Sequence, residues 1–432
     1  MRGLADIESV ATLLARSDPR ISEQLELLAD MGQDFAATMD IEATLARALE
    51  RITRYMQAAG GALFMLDPGG ETLTCQACVG ATDITGLTLK KDQGIVGRCV
   101  QNNVGEIVRD VSKDPNWANQ VDKQTGFTTK SILCAPMSVQ DKRIGAIEMV
   151  NKLSADGLFT DVDLHMLQAL TSSAALAILN ARMATALVEQ ERTKRELELA
   201  AEIQRSLLPE IPADGFPIYG VNIPARTVSG DFYDFFPLPD GRIFFNLADV
   251  SGKGMNAALL MAKTASLFHC LGKTLHSPGR LLAQINAEIC ETVTRGMFVT
   301  MLAGIYDPAS GVVRLANAGH EPPLLHRPDG TFVAFPAESP PLGIMLMPVD
   351  DESFGEIEVR LDGGSLYVFT DGLTEGYVAD GKTLEVEGLK RLIGHNAGRP
   401  LAERLGAIVA HVRREGVGLR DDLTILAVDD RR

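Results

Sequence analysis

The sequence has a deficit of positive charge. Its 432 residues include 41 lysines and arginines against 57 aspartates and glutamates, so the formal net charge at pH 7 is −16. Proteins that bind the phosphate backbone of DNA or RNA present a basic surface, which this balance does not supply. The composition therefore excludes nucleic acid as a general partner, although it leaves room for a small local anion site.

Cysteine is also scarce, with six residues in the whole chain. The pair Cys75 and Cys78 forms one C-x-x-C motif, but a second pair of the kind that would complete a zinc site is missing. We interpret these cysteines as small, half-buried hydrophobic residues and assign them no function.

Long apolar runs and a secretory signal are lacking as well. No stretch of 18 or more uninterrupted apolar residues occurs, and the N-terminus has no basic-then-apolar pattern. We therefore expect a cytoplasmic protein without a membrane-spanning segment. The hydrophobic content of 46% is that of a globular protein, and the length accommodates two or three domains.

The apolar periodicity divides the chain into four segments. Residues 1–39 follow a helical period, and residues 40–181 combine helices with short strand-like runs, which predicts an α+β domain. Residues 182–209 form a charged helical linker without glycine or proline before Pro209. Residues 210–432 again mix antiparallel strands with helix pairs, which favours a layered α+β domain over a Rossmann fold.

The linker helix carries an approximate coiled-coil seam, which predicts a parallel homodimer; a solvated single helix is the alternative. The seam residues are Leu176, Leu179, Met183, Leu187, Leu197, Ile203 and Leu207. In the first domain, strands are predicted at 61–67, 73–79, 131–137 and 143–150, and a helix at 161–186. In the last domain, strands are predicted at 216–224, 241–249, 298–307, 311–317, 331–335, 366–370 and 423–428, and helices at 254–272, 278–292 and 401–414.

Four aspartates of the last domain lie at the edges of apolar runs, each in a tight polar or glycine-rich context. They are Asp231 in SGDFYD, Asp249 in ADVSGKG, Asp371 in FTDGLTEG and Asp421 in DDLTILAV. Carboxylates are hard oxygen ligands suited to Mg²⁺ or Mn²⁺, and several in one cleft would repel one another without a cation between them. Each aspartate alone also fits a turn or a helix N-cap. Together they predict a metal centre at strand ends, suited to phosphate chemistry.

Five motifs in this order resemble the SpoIIE-like branch of the metal-dependent protein phosphatase 2C family. They are SGDFYD (229–234), DVSGKG (249–254), NAGH (317–320), TDGLTE (370–375) and DDLT (421–424). The resemblance extends from about residue 203 to the C-terminus. It implies an αββα sandwich with two metal ions between the central sheets, and the hydrolysis of phosphoserine or phosphothreonine.

The resemblance also implies a role for individual residues. Asp249 would be shared by two Mn²⁺ or Mg²⁺ ions, and the backbone carbonyl of Val250 would be a further ligand. Asp371 and Asp421 would hold one ion, and Asp231 would hold the other or orient its waters.

Four further residues complete the predicted site. Asp422 is the second candidate for the position given to Asp421. Arg226 would grip the substrate phosphate with two donors, or it is an ordinary surface arginine. The eukaryotic pattern has a histidine where this chain has Ser251, so the acid that protonates the leaving group is unassigned. His320 is a candidate for that acid, with a structural role at a strand end as the alternative.

The substrates of this family are phosphorylated STAS-domain antagonists of anti-sigma factors, so a protein of this class is the expected partner. Two alternatives are a pseudophosphatase that sequesters a regulator and an enzyme that hydrolyses a small phosphoester. Metal dependence separates the first from an active phosphatase, and a comparison of substrates separates the second.

Residues 40–181 resemble a GAF domain, a small-molecule sensor. Asn151, Lys152, Phe159 and Asp163 match most of the signature of cyclic-nucleotide-binding GAF domains, but Leu164 replaces its final glutamate. Lys152 and Asp163 are thus candidate ligand-binding residues, or they pair with each other structurally, as in that family. Cyclic AMP or cyclic GMP is the leading ligand hypothesis, and another metabolite or no ligand are the alternatives. Ligand binding would act on the phosphatase through the linker.

Overall fold

The computed structural model describes residues 41–117, 122–123, 126–210, 215–292, 296–350, 352–376, 383–413 and 419–430. The helical segment predicted for residues 1–39 lies outside this part of the chain. The chain forms two compact units that divide between Gln190 and Glu191.

The N-terminal unit is built on one six-stranded antiparallel sheet with the order β3-β2-β1-β6-β5-β4. Its elements are α1 (Ile41–Tyr55), β1 (Ala58–Leu66), β2 (Thr72–Val79), β3 (Thr88–Lys90), α2 (Gly94–Asn102), β4 (Glu106–Val108), a 3₁₀ turn (Val111–Lys113), β5 (Ile132–Val139) and β6 (Lys142–Lys152). A further helix, α3 (Asp161–Leu207), begins in this unit.

Both faces of this sheet are covered, each by its own hydrophobic core. Side chains of α1 and of the first turns of α3, such as Ile52 and Leu170, pack on one face. Val96 and Val100 of α2 pack on the other face. Because the central strand β1 is buried on both sides, its sequence is continuously apolar apart from its glycines.

Helix α3 runs without interruption over 47 residues, joining the predicted closing helix and the predicted linker. Several of its apolar side chains after the N-terminal core are exposed, among them Leu176, Met183, Leu187 and Ile203 at 50–64%. By length and composition alone it is the one helix of the described residues that could cross a membrane. Part of the apolar surface of α3 is explained by packing instead, because Leu167 lies in the core of the N-terminal unit.

The C-terminal unit contains two five-stranded antiparallel sheets, with the orders β14-β11-β10-β9-β8 and β13-β12-β15-β16-β7. Its strands are β7 (Ile218–Ile223), β8 (Phe232–Pro237), β9 (Ile243–Val250), β10 (Val299–Asp307), β11 (Val312–Ala318), β12 (Leu324–His326), β13 (Phe332–Ala334), β14 (Glu356–Arg360), β15 (Ser365–Phe369) and β16 (Leu423–Asp429). Its helices are α4 (Met255–Leu271), α5 (Pro278–Thr292), α6 (Asp371–Thr374), α7 (Glu385–Asn396) and α8 (Leu401–Val412).

Three cores show that these elements form four layers. Phe245 of the first sheet and Val368 of the second belong to one core between the sheets. Helices α4 and α5 pack on the outer face of the first sheet, and α7 and α8 on the outer face of the second. The predicted α+β architecture, with a GAF-like domain, a helical linker and an αββα sandwich, is confirmed.

The prediction missed several elements, most of which are short. They are β3, α2, β4, the 3₁₀ turn, β8, β12, β14, α6 and α7. Most are too short to show a period, and β8 reads FYDFFP, in which apolar and polar residues do not alternate. Such strands are defined by the neighbours with which they pair.

Candidate functional site

The predicted metal-binding residues lie at one end of the sandwich, where strands of both sheets end. Side chains alternate along a strand, so residues two apart point to the same side. This alternation directs Asp249, Thr370 and Thr424 into the space between the sheets. Each lies two residues from a core residue that faces the opposite sheet: Leu247, Val368 and Leu426.

Asp231 is the most buried of the four aspartates, with 2% of its surface exposed. Its Oδ2 accepts hydrogen bonds from Thr370 Oγ1 at 2.8 Å and from Thr424 Oγ1 at 2.7 Å. Burial, and then the negative charge of Asp249, raise the pKa of Asp231 well above its ordinary value, although the two hydroxyls oppose this. A buried carboxylate beside a second one lacks compensating positive charge, which a bound cation would provide.

Asp249 lies near the end of β9 and is partly buried. Burial raises the pKa of its carboxyl, and the negative charge of Asp371 raises it further. The next residue, Val250, is approached closely by Gly230, where an added Cβ would be 3.2 Å from the Val250 carbonyl oxygen. The glycine of the SGD motif therefore lets this loop pack against the carbonyl that was predicted to bind metal.

Asp371 and Asp421 extend the group of carboxylates. Asp371 opens α6 directly after β15, and its pKa is raised by burial and then by Asp421. Asp421 forms an ion pair with Lys253 at 2.8 Å, with both side chains about half exposed. Within the described residues, no three histidine, cysteine or acidic side chains converge into a complete single-ion site. The donor set still fits hard divalent cations, because the carboxylates of Asp231, Asp249, Asp371 and Asp421 act on one another's pKa in turn.

Asp422 has a different environment from its neighbour. Its Oδ1 accepts the backbone N–H of Ala225 and its Oδ2 accepts that of Gly230, both at 2.7 Å. Both oxygens thus hold the loop that leads to Asp231. Gly372 touches the same segment, since a Cβ there would overlap the Asp422 carbonyl oxygen. Asp422 therefore holds the backbone of the loop at 225–230 by hydrogen bonds, whereas Asp421 lies near Asp371.

A cleft of about 150 Å³ adjoins these carboxylates. Arg226, Lys253 and Arg420 line it together with Asp421 and Asp422. Arg226 was predicted for this place, whereas Lys253 and Arg420 were not assigned a role. Lys253 belongs to the DVSGKG motif and Arg420 directly precedes the DDLT motif, and this closeness to a site aspartate is the signal that could have identified them.

The N-terminus of α4 lies at the same cleft. Gly252 and Gly254 have φ of +93° and +85°, a region that favours glycine, and no side chain caps the helix. The first N–H groups of a helix have no partners within the helix and bind anions readily. Basic side chains and a helix N-terminus at a cleft that also contains Asp421 suit a metal-assisted reaction of a phosphoester.

The structure gives no support to His320 as a charged general acid. Its side chain is 3% exposed, and burial lowers its pKa to about 4, so the imidazole is neutral at pH 7. Nδ1 lies 2.9 Å from Thr300 Oγ1. Ser251 is engaged structurally, because its Oγ accepts the backbone N–H of Phe298 at 2.8 Å. Both residues support the strand ends that carry the site.

The N-terminal unit contains a cavity of about 110 Å³ lined by residues of β1, β2, α2 and β6. Lys152 and Asp163, the candidate ligand-binding residues, do not belong to the described lining of this cavity. Instead, Lys152 Nζ lies 2.7 Å from Asp163 Oδ1 and 2.9 Å from the Met56 carbonyl oxygen, above the Phe159 ring. This geometry fits a structural pair that joins β6 to α3.

Two family models match the sequence. Residues 239–430 match stage II sporulation protein E (SpoIIE), and residues 40–178 match the GAF domain. The first region contains eight of the ten strands of the sandwich and three of the four aspartates, and the second contains the six-stranded sheet.

Several known proteins are similar to part of this chain. The phosphoserine phosphatase RsbU of Bacillus subtilis (strain 168) is 30% identical over 244 residues, which are 55% of this chain and 71% of RsbU. The phosphoserine phosphatase RsbP of the same organism is 28% identical over 189 residues, covering 42% of this chain but only 46% of RsbP. Among solved structures, the SiaA-PP2C domain of Pseudomonas aeruginosa aligns with 56% of this chain and 98% of that domain, at 21% identity and a TM-score of 0.49.

Proposed function

This chain belongs to the SpoIIE-type family of serine/threonine phosphatases that includes RsbU, and we propose that it dephosphorylates a small STAS-domain protein, an antagonist of an anti-sigma factor. The observation that carries the proposal is the cleft that Arg226, Lys253 and Arg420 line together with Asp421, whose charge acts on Asp371 and Asp249. The hydrolysis of a phosphoester requires metal ligands for catalysis and positive charge for binding the phosphate.

The family resemblance implies the metal ligands, and the donor chemistry is consistent with them. Asp249, the Val250 carbonyl, Asp231, Asp371 and Asp421 would hold two Mg²⁺ or Mn²⁺ ions. When bound, the ions would lower the pKa of water and neutralise charge on the phosphoryl group. Burial, and then mutual repulsion, raise the pKa values of Asp231, Asp249 and Asp371, which supports a site made to hold cations.

The other residues of the site bind and orient. Arg226 and the N-terminus of α4 would bind the phosphate oxygens, since both present N–H donors to the cleft. The hydroxyls of Thr370 and Thr424 hold Oδ2 of Asp231 in one orientation. Asp422 holds the backbone on which Arg226 and Asp231 are carried.

The test is Mn²⁺-dependent phosphate release from a generic phosphoester by the native chain, by Asp249→Asn and by Glu387→Gln. Glu387 is an exposed residue of α7 and is the matched control. We expect activity that requires the metal, is lost in Asp249→Asn and persists in Glu387→Gln. Activity that survives Asp249→Asn would refute the site.

The substrate is tested separately with phosphorylated STAS-domain proteins from the same genome. Hydrolysis of a small phosphoester with no phosphoprotein turned over would favour the small-molecule alternative. Binding of a STAS-domain protein without any hydrolysis, with Mn²⁺ present, would favour the pseudophosphatase.

We further propose that the N-terminal domain regulates the phosphatase through α3 in a homodimer. Four residues of the predicted seam are exposed on α3, and a second copy of the helix would cover them: Leu176, Met183, Leu187 and Ile203. At the C-terminal end of α3, Gln204 is buried and bonds both backbone groups of Ser229: its Nε2 donates to the carbonyl at 2.9 Å, and its Oε1 accepts the N–H at 3.0 Å. Ser229 lies two residues before Asp231, so a shift of α3 would reach the site.

An insertion of four residues between 187 and 198 tests this route, since it rotates one part of α3 relative to the other. We expect the insertion to change the regulation or the basal rate of phosphate release. Unchanged activity together with an unchanged oligomeric state would contradict it. The cyclic-nucleotide hypothesis stays a prediction based on the sequence signature, and calorimetric titration with cyclic AMP and cyclic GMP tests it.

A further inference from the structure

Glu148 is an acidic residue in the middle of the N-terminal sheet. It lies on β6 between Ala62 of β1 and Cys134 of β5, on the face that α2 covers. Its neighbours on this face are apolar, such as Phe64 and Ile132. Within the described residues, its carboxylate has no hydrogen-bond or ion-pair partner, which is rare for a carboxylate in a core. Such a group needs a reason to be there.

The carboxylate of Glu148 borders the cavity of the N-terminal unit. Phe64, Trp117 and Phe127 supply aromatic surface to the same cavity. Asp122 adds a second carboxylate, which holds the N–H and hydroxyl of Thr129 at 2.8 and 2.7 Å. The described lining includes no lysine, arginine or histidine, so any charge on the polar side of the cavity comes from Glu148 and Asp122 and is negative.

From this geometry we propose that the cavity binds an amine- or amidine-bearing aromatic or heterocyclic molecule, whose N–H groups donate to the Glu148 carboxylate. The aromatic side chains would enclose its flat body and favour a positive charge. Residues 94–96 at the N-terminus of α2 also line the cavity, and their N–H groups suit a neutral acceptor on the ligand. An anionic ligand would instead place its charge near two carboxylates without a cationic side chain to balance it.

This inference rests on the proposed sensor role of the N-terminal domain but not on the phosphatase chemistry. Its test is therefore a binding measurement on the full chain. Trp117 is the single tryptophan of the sequence, so its fluorescence reports directly on the cavity. Benzamidine, benzamide and benzoate are suitable probes, because they carry a cationic, a neutral and an anionic group on the same ring.

We expect benzamidine to change the Trp117 fluorescence saturably and to bind at least about tenfold more tightly than benzoate, with benzamide in between. Glu148→Gln, which keeps the shape of the side chain, should weaken benzamidine binding by at least about tenfold. Asp141→Asn, at an exposed carboxylate of the same domain, should not change it.

The proposal is overturned if benzamidine gives no saturable signal, or if it binds Glu148→Gln as well as the native chain. Cyclic AMP and cyclic GMP serve as anionic competitors in the same assay. Tight binding of either that does not depend on Glu148 would establish an anionic ligand instead. Circular dichroism of Glu148→Gln verifies that the variant is folded, and phosphate release by the same samples shows separately whether the phosphatase is active.

Discussion

Replacing Asp422 by asparagine, and comparing it with the same change at Asp421, distinguishes the roles of two adjacent aspartates that were both candidates for one metal-ligand position. The Asp422 carboxylate accepts one backbone N–H on each oxygen, from Ala225 and Gly230, at 2.7 Å. Asparagine keeps one acceptor oxygen but turns its NH₂ group toward the second backbone N–H. Asp421→Asn, in contrast, changes a side chain that is 40% exposed and whose ion pair is with Lys253.

These contacts determine how much each substitution should change the free energy of unfolding. A hydrogen bond to a charged acceptor contributes about 1.5–3 kcal/mol, and a neutral one about 1 kcal/mol. Asp422→Asn loses one charged bond, weakens the other and leaves a donor facing a donor, so the C-terminal domain should lose about 2–4 kcal/mol of its free energy of unfolding. An exposed ion pair contributes about 0–1 kcal/mol, so Asp421→Asn should cost less than about 1 kcal/mol.

Urea unfolding of the full chain, with a chelator present to remove metal, measures both effects. Trp117 lies in the N-terminal domain, so an unfolding transition seen by circular dichroism without a change in tryptophan fluorescence belongs to the C-terminal domain. In the Mn²⁺ assay, Asp421→Asn should need more metal for half-maximal activity. The reasoning would be refuted if Asp422→Asn unfolds at the same urea concentration as the native chain, or if Asp421→Asn is the more destabilising change.

Two further predictions concern two polar side chains, the partly buried Glu148 and the buried Gln204. Burial, and then Asp122, raise the pKa of Glu148 to about 7 from an ordinary value of 4.5. Between these values the folded protein holds a proton that the unfolded chain has lost, so stability should fall as pH rises from about 4.5 to 7, by about 3 kcal/mol in total. Glu148→Gln should remove this slope in Trp117-monitored thermal unfolding, and an identical slope in both proteins would contradict the assignment. Gln204→Leu leaves the buried backbone groups of Ser229 unpaired, so it should lower the free energy of unfolding by about 2–4 kcal/mol and lower the rate of phosphate release. The control is Gln190→Ala, at an exposed position of the same helix. Equal effects of the two changes would argue against a role for the contact between Gln204 and Ser229.

The architecture could be predicted where elements are long and periodic. The strands around residues 243–250 and 299–307 and the helix around 255–271 show their period in the sequence, and the structure contains them. Strands such as β12 and β14 could not be predicted, because a segment of three to five residues has too few positions to show alternation. Their existence depends on hydrogen bonds to distant strands.

Part of the site could also be predicted. Asp249 and Asp371 directly follow apolar runs within motifs that resemble a known family, so the sequence alone identified them as site candidates. It left Asp421 and Asp422 as alternatives, and it did not assign a role to Lys253. Only the backbone placement shows that one of these aspartates faces Lys253 and that the other holds the backbone of a distant loop.

By itself, the sequence determined the order of domains, the acidic character of the candidate metal site and the strand ends at which its aspartates lie, because these depend on residue type and local spacing. The tertiary structure decided what each polar group faces. Along β6, Glu148 alternates with Ile147 and Met149 as a solvent-facing residue of a half-buried strand would. Only the packing of α2 over that face of the sheet places its carboxylate at a cavity, since the covering of a sheet face depends on residues far away in the chain.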